Sequence, residues 1–154
     1  MLRQKNAELH SIADVVCSNT GMTKEALLHD THTYRIDGLE TAAQIIRDGI
    51  KAGKIFYIMG DFDVDGIMAS AGMVMGLGRL HAKKMVRLPR RFTEGYGLQR
   101  ETVMDCRDGQ ILITVDNGIS SIDAVALAIE KGMTVIIIDH HLPVKDPGTD
   151  KPVY

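Results

Sequence analysis

Carboxylates follow three separate apolar runs in this chain. Asp61-Phe62-Asp63-Val64-Asp65-Gly66 comes after Ile55 to Met59, Asp116-Asn117-Gly118 after Ile111 to Val115, and Asp139-His140-His141 after Thr134 to Ile138. If the runs are neighbouring parallel strands, their ends bring Asp63, Asp65, Asp116 and His140 to one edge of a sheet. A set of carboxylate oxygens with an imidazole nitrogen favours Mn2+ or Mg2+ over a cysteine-bound structural zinc. Two such ions, about 3.5 to 4 Å apart in typical two-metal sites, activate a hydroxide for attack on phosphorus and stabilise oxygen charge.

Each cluster taken singly has a plainer reading. Asp65 can cap a helix while Asp61 and Asp63 stay in water, Asp116 can form an Asx turn with Asn117-Gly118, and paired histidines in a loop are often solvent-exposed. On the functional reading, Asp61, Asp63 and Asp65 alternate, so an extended stretch puts them on one face. Gly66 then lets the chain turn into a helix. Asp116 has two oxygens with which to bridge two ions, and a carboxylate next to a histidine, as Asp139 is, can hold its tautomer. The triple occurrence favours metal.

The elements that must position these residues are legible from residue 54 onward as strand, helix, strand, helix, strand, helix, strand. Ile55 to Met59, Ile111 to Val115 and Thr134 to Ile138 are short apolar runs suited to strands buried on both faces, and Lys84 to Leu88, ending at Pro89, supplies another. Between them lie a mostly apolar helix from Ile67 to Leu77, a helix from about Leu98 to Arg107, and one following Ser120 or Ser121 as cap and stopped by Gly132. Met68, Met73 and Met75 read as core packing around Gly72, Gly76 and Gly78, with that helix buried on the sheet. Earlier, Leu39, Ala42, Ala43, Ile46 and Ile50 mark an amphipathic helix ended by Gly53. The short intervals fit right-handed crossovers, hence an α/β three-layer, Rossmann-like sandwich with a mainly parallel sheet. Residues 1–35 form a helical or irregular segment, with Thr23 a candidate cap, and 36–154 the main domain.

Bulk properties set limits. A chain of 154 residues, 45% hydrophobic, buries one substantial core. Eighteen Lys and Arg against twenty Asp and Glu give a net charge of -2, so any nucleic-acid binding needs a local patch. Lys83, Lys84, Arg87, Arg90, Arg91 and Arg100 gather around one strand and loop, where Phe92 or Tyr96 offers a stacking surface. Cys17 and Cys106 have no close cysteine spacing, which argues against a zinc knuckle or disulfide scaffold, and Cys106 reads as an inert thiol. His10, His29, His32 and His81 read as surface residues. The lack of a signal-like or membrane-length apolar run leads us to expect a soluble, cytoplasmic protein with no membrane partner.

Together the three motifs resemble the DHH phosphoesterase superfamily. The surrounding text, Pro89-Arg90-Arg91-Phe92-Thr93-Glu94-Gly95-Tyr96-Gly97-Leu98, Thr114-Val115-Asp116-Asn117-Gly118-Ile119 and Asp139-His140-His141 before Pro143, is similar to the RecJ group of single-stranded-DNA exonucleases over roughly residues 40 to 145. The resemblance implies Asp63, Asp65, Asp116 and His140 as ligands to paired Mn2+ or Mg2+, and a catalytic group of His141, His140, Asp116 and Asp65 in which His141 faces the scissile phosphate. It also implies support from Asp61 and Asp139, and substrate handling by Arg90, Arg91, Tyr96 and Gly97. The implied activity is 5′ to 3′ digestion of single-stranded DNA. The family also supplies a later metal-binding Asp and a glycine-rich carboxy-terminal domain, which Leu142 to Tyr154 cannot hold. The expectation is therefore an amino-terminal part of the catalytic domain, inactive or weakly active alone. The rival readings are a phosphodiesterase for cyclic dinucleotides or short oligonucleotides, and a non-catalytic nucleic-acid-binding or assembly protein.

Overall fold

The computed structural model describes residues 11–28, 36–90, 95, 97–145 and 147–149. The chain divides into two compact units after Asp37. In the first, α1 (Ile12–Thr20) starts at Ser11, whose Oγ accepts from the Asp14 amide at 3.1 Å, and ends at Gly21 in the left-handed region. Thr23 caps α2 (Lys24–Leu28) as expected, its Oγ1 accepting from the Ala26 amide at 3.1 Å. A Lys24–Asp14 ion pair joins the two helices.

The second unit contains α3 (Leu39–Lys51), β1 (Ile55–Met59), α4 (Val64–Arg79), β2 (Lys83–Arg87), α5 (Arg100–Met104), β3 (Ile111–Val115), α6 (Ile122–Glu130) and β4 (Thr134–Ile138). The strands form one parallel sheet in the order β2-β1-β3-β4. Because successive strand residues face opposite sides, the apolar runs feed two cores. Phe56, Ile58, Ile111, Ile113, Val115 and Ile136 meet α3 and α4 through Ile46, Ile50, Val74 and Leu77. Tyr57, Met59 and Leu112 meet Val103, Ala124, Ala128 and Met133 on the other side. Helices cover both faces, and this is the three-layer sandwich read from the sequence.

Several local expectations need correction. The second strand begins a residue early and α5 is much shorter than Leu98 to Arg107. Ser121 precedes α6 but its side chain makes no cap; its carbonyl accepts from Ala124 and Val125 instead. The α4 helix buries only one stripe, containing Ser70 and Leu77. Met68 and Met75 are 66% and 61% exposed, so of the three methionines only Met73 joins the core. Gly72 and Gly76 have nothing within 4 Å of where a Cβ would stand, so close packing is not what placed them there. Gly49, by contrast, lets α3 lie directly on Phe56 and Ile111.

Candidate metal centre

The order β2-β1-β3-β4 reverses direction at β1, because the chain leaves β1 for one neighbour and returns to build β3 on its other side. The carboxyl ends of β1 and β3 therefore diverge into a crevice of the kind in which open α/β sheets bind ligands. The first acidic motif follows β1 and the second follows β3, so the topology puts both at this crevice.

At the end of β1 the chain turns sharply. The Gly60 amide donates to Arg87 at 3.1 Å, and α4 begins at Val64, before the extended alternation of Asp61, Asp63 and Asp65 can develop. Asp63, not Asp65, is the cap: its Oδ1 accepts from the Gly66 amide at 3.1 Å, leaving the second oxygen available. Asp65 lies in the first turn, where the positive end of the helix favours carboxylates. Gly66 is inside the helix, and a Cβ there would stand 2.9 Å from the Asp61 main chain, so it is needed for close approach rather than for a turn. Asp61 accepts from the Phe62 amide at 2.7 Å.

At the end of β3, Asp116 adopts φ +60°, a left-handed conformation that Asp tolerates better than most residues. It is 7% exposed and neither carboxylate oxygen has a well-formed hydrogen bond. His140 Nε2 lies 2.9 Å from its Oδ1 and 3.9 Å from Asp65 Oδ2. One ligand atom each from Asp63, Asp65 and Asp116 falls within 4.8 Å of the others, and the same holds for Asp116, His140 and His141. Asp116 belongs to both groups. Burial first, then the charges of Asp65 and Asp63, push its carboxyl above the usual range, against the pull of the histidines. Asp65 is held low by its hydrogen bond with Asp63, helped by backbone amides and His140. Buried carboxylate oxygens without a well-formed hydrogen bond, converging with other carboxylates and an imidazole, fit a hard or borderline divalent cation.

Asp139 has a supporting geometry. Burial acts to raise its carboxyl, but the amides of Ile119 and His141, both at 3.0 Å, and the His141 ring outweigh that and hold it low. His141 Nδ1 is 2.7 Å from Asp139 Oδ1, and this bond raises the imidazole above its ordinary value. The His140 and His141 rings lie 4.6 Å apart. Asp61, Gly97, Asp116, Asp139, His140 and His141 line one cleft of about 710 Å³.

The expected substrate residues are less completely placed. Gly97, at φ +71°, enters the cleft, and a Cβ there would crowd Ser121 Oγ at 3.1 Å. Arg90 is exposed beyond β2, while Arg91, Tyr96 and Phe92 lie outside the described residues, as do His10, His29 and His32. Arg87 pairs with Asp105 at 2.9 Å, and Arg100 donates to the Asp123 carbonyl at 3.0 Å. His81 is exposed, and Cys106, 4% exposed with its thiol pushed up by burial, is inert at neutral pH. Sequence reasoning missed the side chain of Asn117, whose Nδ2 donates to the carbonyls of Met59 at 3.1 Å and Val115 at 2.9 Å. Its only sequence signal, an Asn before Gly, is already accounted for by a turn.

The DHH family, N-terminal domain, matches residues 55–154. The chain belongs to this family. The single-stranded-DNA-specific exonuclease RecJ of Salmonella typhimurium is 40% identical over 112 residues, covering 71% of this chain and 19% of the relative. RecJ of Bacillus subtilis is 33% identical over 132 residues, covering 84% and 16%. A crystal structure of exonuclease RecJ bound to manganese superposes with a TM-score of 0.69 at 35% identity, over 74% of this chain and 30% of that one. RecJ from Thermus thermophilus in complex with Mn2+ gives 0.65 at 29% identity, over 88% and 20%. The DHH chain thus spans about a fifth of the length of the curated relatives it matches. Among the described residues, no helix is long and apolar enough to cross a membrane.

Proposed function

We propose that residues 36–154 carry part of the two-metal centre of a phosphodiesterase that digests single-stranded DNA from its 5′ end. The observation that carries the reading is the convergence of Asp63, Asp65 and His140 on Asp116, whose buried oxygens make no well-formed hydrogen bond. The relatives are named as single-stranded-DNA-specific exonucleases, and two solved RecJ structures similar to this one hold manganese.

On this reading Asp63, Asp65, Asp116 and His140 would hold Mn2+ or Mg2+, Asp116 being the residue common to both clusters of donor atoms. When bound, the ions polarise a phosphoryl oxygen and lower the pKa of water. Asp63 caps α4 with one oxygen and would have the other for the metal, which couples ligand position to the helix start. Asp139 Oδ1 accepts a hydrogen bond from the Nδ1–H of His141, which keeps that proton on the ring and favours the imidazolium, so that Nε2 is left to supply a proton to the leaving oxygen. The Gly97 turn and the basic residues Arg90 and Arg91, with Tyr96 for stacking, handle the strand.

Calorimetric titration of the chain with Mn2+, alongside Asp63→Ala and Asp116→Ala, tests the centre. Binding in the parent and its loss in both variants is expected, whereas indistinguishable weak binding in all three removes the site. Substrate class is tested in a polypeptide extended to the relatives' length. Nucleotide release from long 5′-phosphorylated single strands should exceed cleavage of linear or cyclic dinucleotides, and the reverse preference overturns the exonuclease assignment.

A further inference from the structure

The β1–β3 ladder ends at the Met59–Thr114 pair, where the strands part to form the crevice. Strand ends that separate leave buried carbonyls in need of donors. The Asn117 amide supplies them: both Nδ2 protons are committed, one to Met59 and one to Val115, from a residue only 6% exposed. An Asn that serves only its own turn would use Oδ1 to accept from a nearby amide. Here Oδ1 is buried and accepts no hydrogen bond, while the amide nitrogen reaches a strand distant in sequence.

The two anchored carbonyls belong to the segments that carry the ligands. Met59 is the last residue of β1 before the loop to Asp63 and Asp65, and Val115 directly precedes Asp116. Asp116 is held in its left-handed conformation from both sides, since its amide donates to Ile138 at 2.8 Å while Asn117 reaches back to Val115. The neighbouring strand ends are also tied, by Gly60 to Arg87 and by Ile119 to Asp139. Across the crevice itself, Asn117 makes the tie.

We infer that Asn117 is a positioning residue for the metal centre, its amide setting the separation between the β1 loop with Asp63 and Asp65 and the β3 turn with Asp116. This role rests on the metal-binding reading proposed above. Removing the amide lets the two halves drift, and supporting partners of metal ligands typically contribute about 10- to 100-fold in affinity.

The test compares Asn117→Ala and Asn117→Asp with Asp116→Ala and with Val103→Ala, which opens a cavity at a fully buried position in the core on the α5 and α6 side. Each is measured for melting temperature without metal, Mn2+ affinity by calorimetry, and the electron paramagnetic resonance spectrum of the Mn2+-loaded chain. Both Asn117 variants should bind Mn2+ about 10- to 100-fold more weakly and lose the spin-coupled spectrum of an ion pair, while Val103→Ala melts earlier but keeps parent affinity and spectrum. In the unaltered chain, the Asn117 side-chain amide protons should exchange slowly and shift on addition of Mg2+. Asn117 variants that bind as the parent does, or weaken no more than Val103→Ala, overturn the inference, as do Asn117 amide resonances that Mg2+ leaves unmoved. If Asp116→Ala abolishes binding and Asn117→Ala does not, only the positioning role falls. If the parent itself does not bind Mn2+, the metal centre falls and takes this role with it.

Discussion

Asp116 concentrates the conflict at the centre: a buried carboxylate near two others, with a histidine for partial relief. Its raised pKa means that ionising it costs folding stability above the raised value, and costs nothing below the ordinary 3.8. Asp116→Asn, which keeps a residue type tolerant of φ +60°, should therefore be more stable than the parent at neutral pH in EDTA. The advantage should open as pH rises from 3.8 and vanish below it, as read by urea unfolding across pH, while the same variant loses Mn2+ binding. The Asp139–His141 pair has the opposite sign. Its contribution is present between the lowered Asp139 value and the raised His141 value, fading as pH falls through the first or rises through the second. In Asp139→Asn, the His141 resonance followed by proton NMR should titrate close to 6.5 instead of above it.

At the scale of elements, α4 shows how one residue type serves opposite ends. Alanine is better than glycine within a helix by about 1 kcal/mol, yet at Gly66 the added carbon would meet the Asp61 main chain at 2.9 Å. Overpacking costs about 1 to 3 kcal/mol, so Gly66→Ala should be destabilising overall and should weaken Mn2+ binding by displacing the Asp61 to Asp63 loop. Gly72→Ala, with nothing within 4 Å, should stabilise by about 0.5 to 1 kcal/mol and leave metal affinity unchanged. Chemical denaturation and calorimetry on the two variants check both signs.

For the molecule as a whole, the proposed centre assembles only when β1, β3 and β4 are paired, so the metal binding proposed for it belongs to the folded state. At free Mn2+ about 100 times its dissociation constant, this linkage adds about 2.7 kcal/mol. For a chain of this size that raises the melting temperature by roughly 5 to 11 °C. Scanning calorimetry should show the rise in the parent, its reversal by EDTA, and its absence in Asp116→Asn. The outer strands leave apolar side chains in solvent, with Ile137 and Ile138 on β4 and Met85 and Val86 on β2 more than a third exposed, so the proposed metal linkage acts on a sheet whose centre is far better packed than its edges.

Much of this was legible in the chain itself. Short apolar runs alternating with helical stretches determined a parallel α/β sandwich, because a strand covered on both faces has to be apolar throughout. Acidic residues placed at the ends of those runs determined where chemistry would gather, since parallel strands bring their carboxyl ends to the same edge. Tertiary structure alone decided the strand order that opens the crevice between β1 and β3, the start of α4 that makes Asp63 the cap, and the exposure of Met68 and Met75. It also decided the reach of Asn117 to Met59. These depend on which backbone donors and acceptors are left unpaired once the sheet has formed, and local sequence pattern holds no record of partners that are distant along the chain.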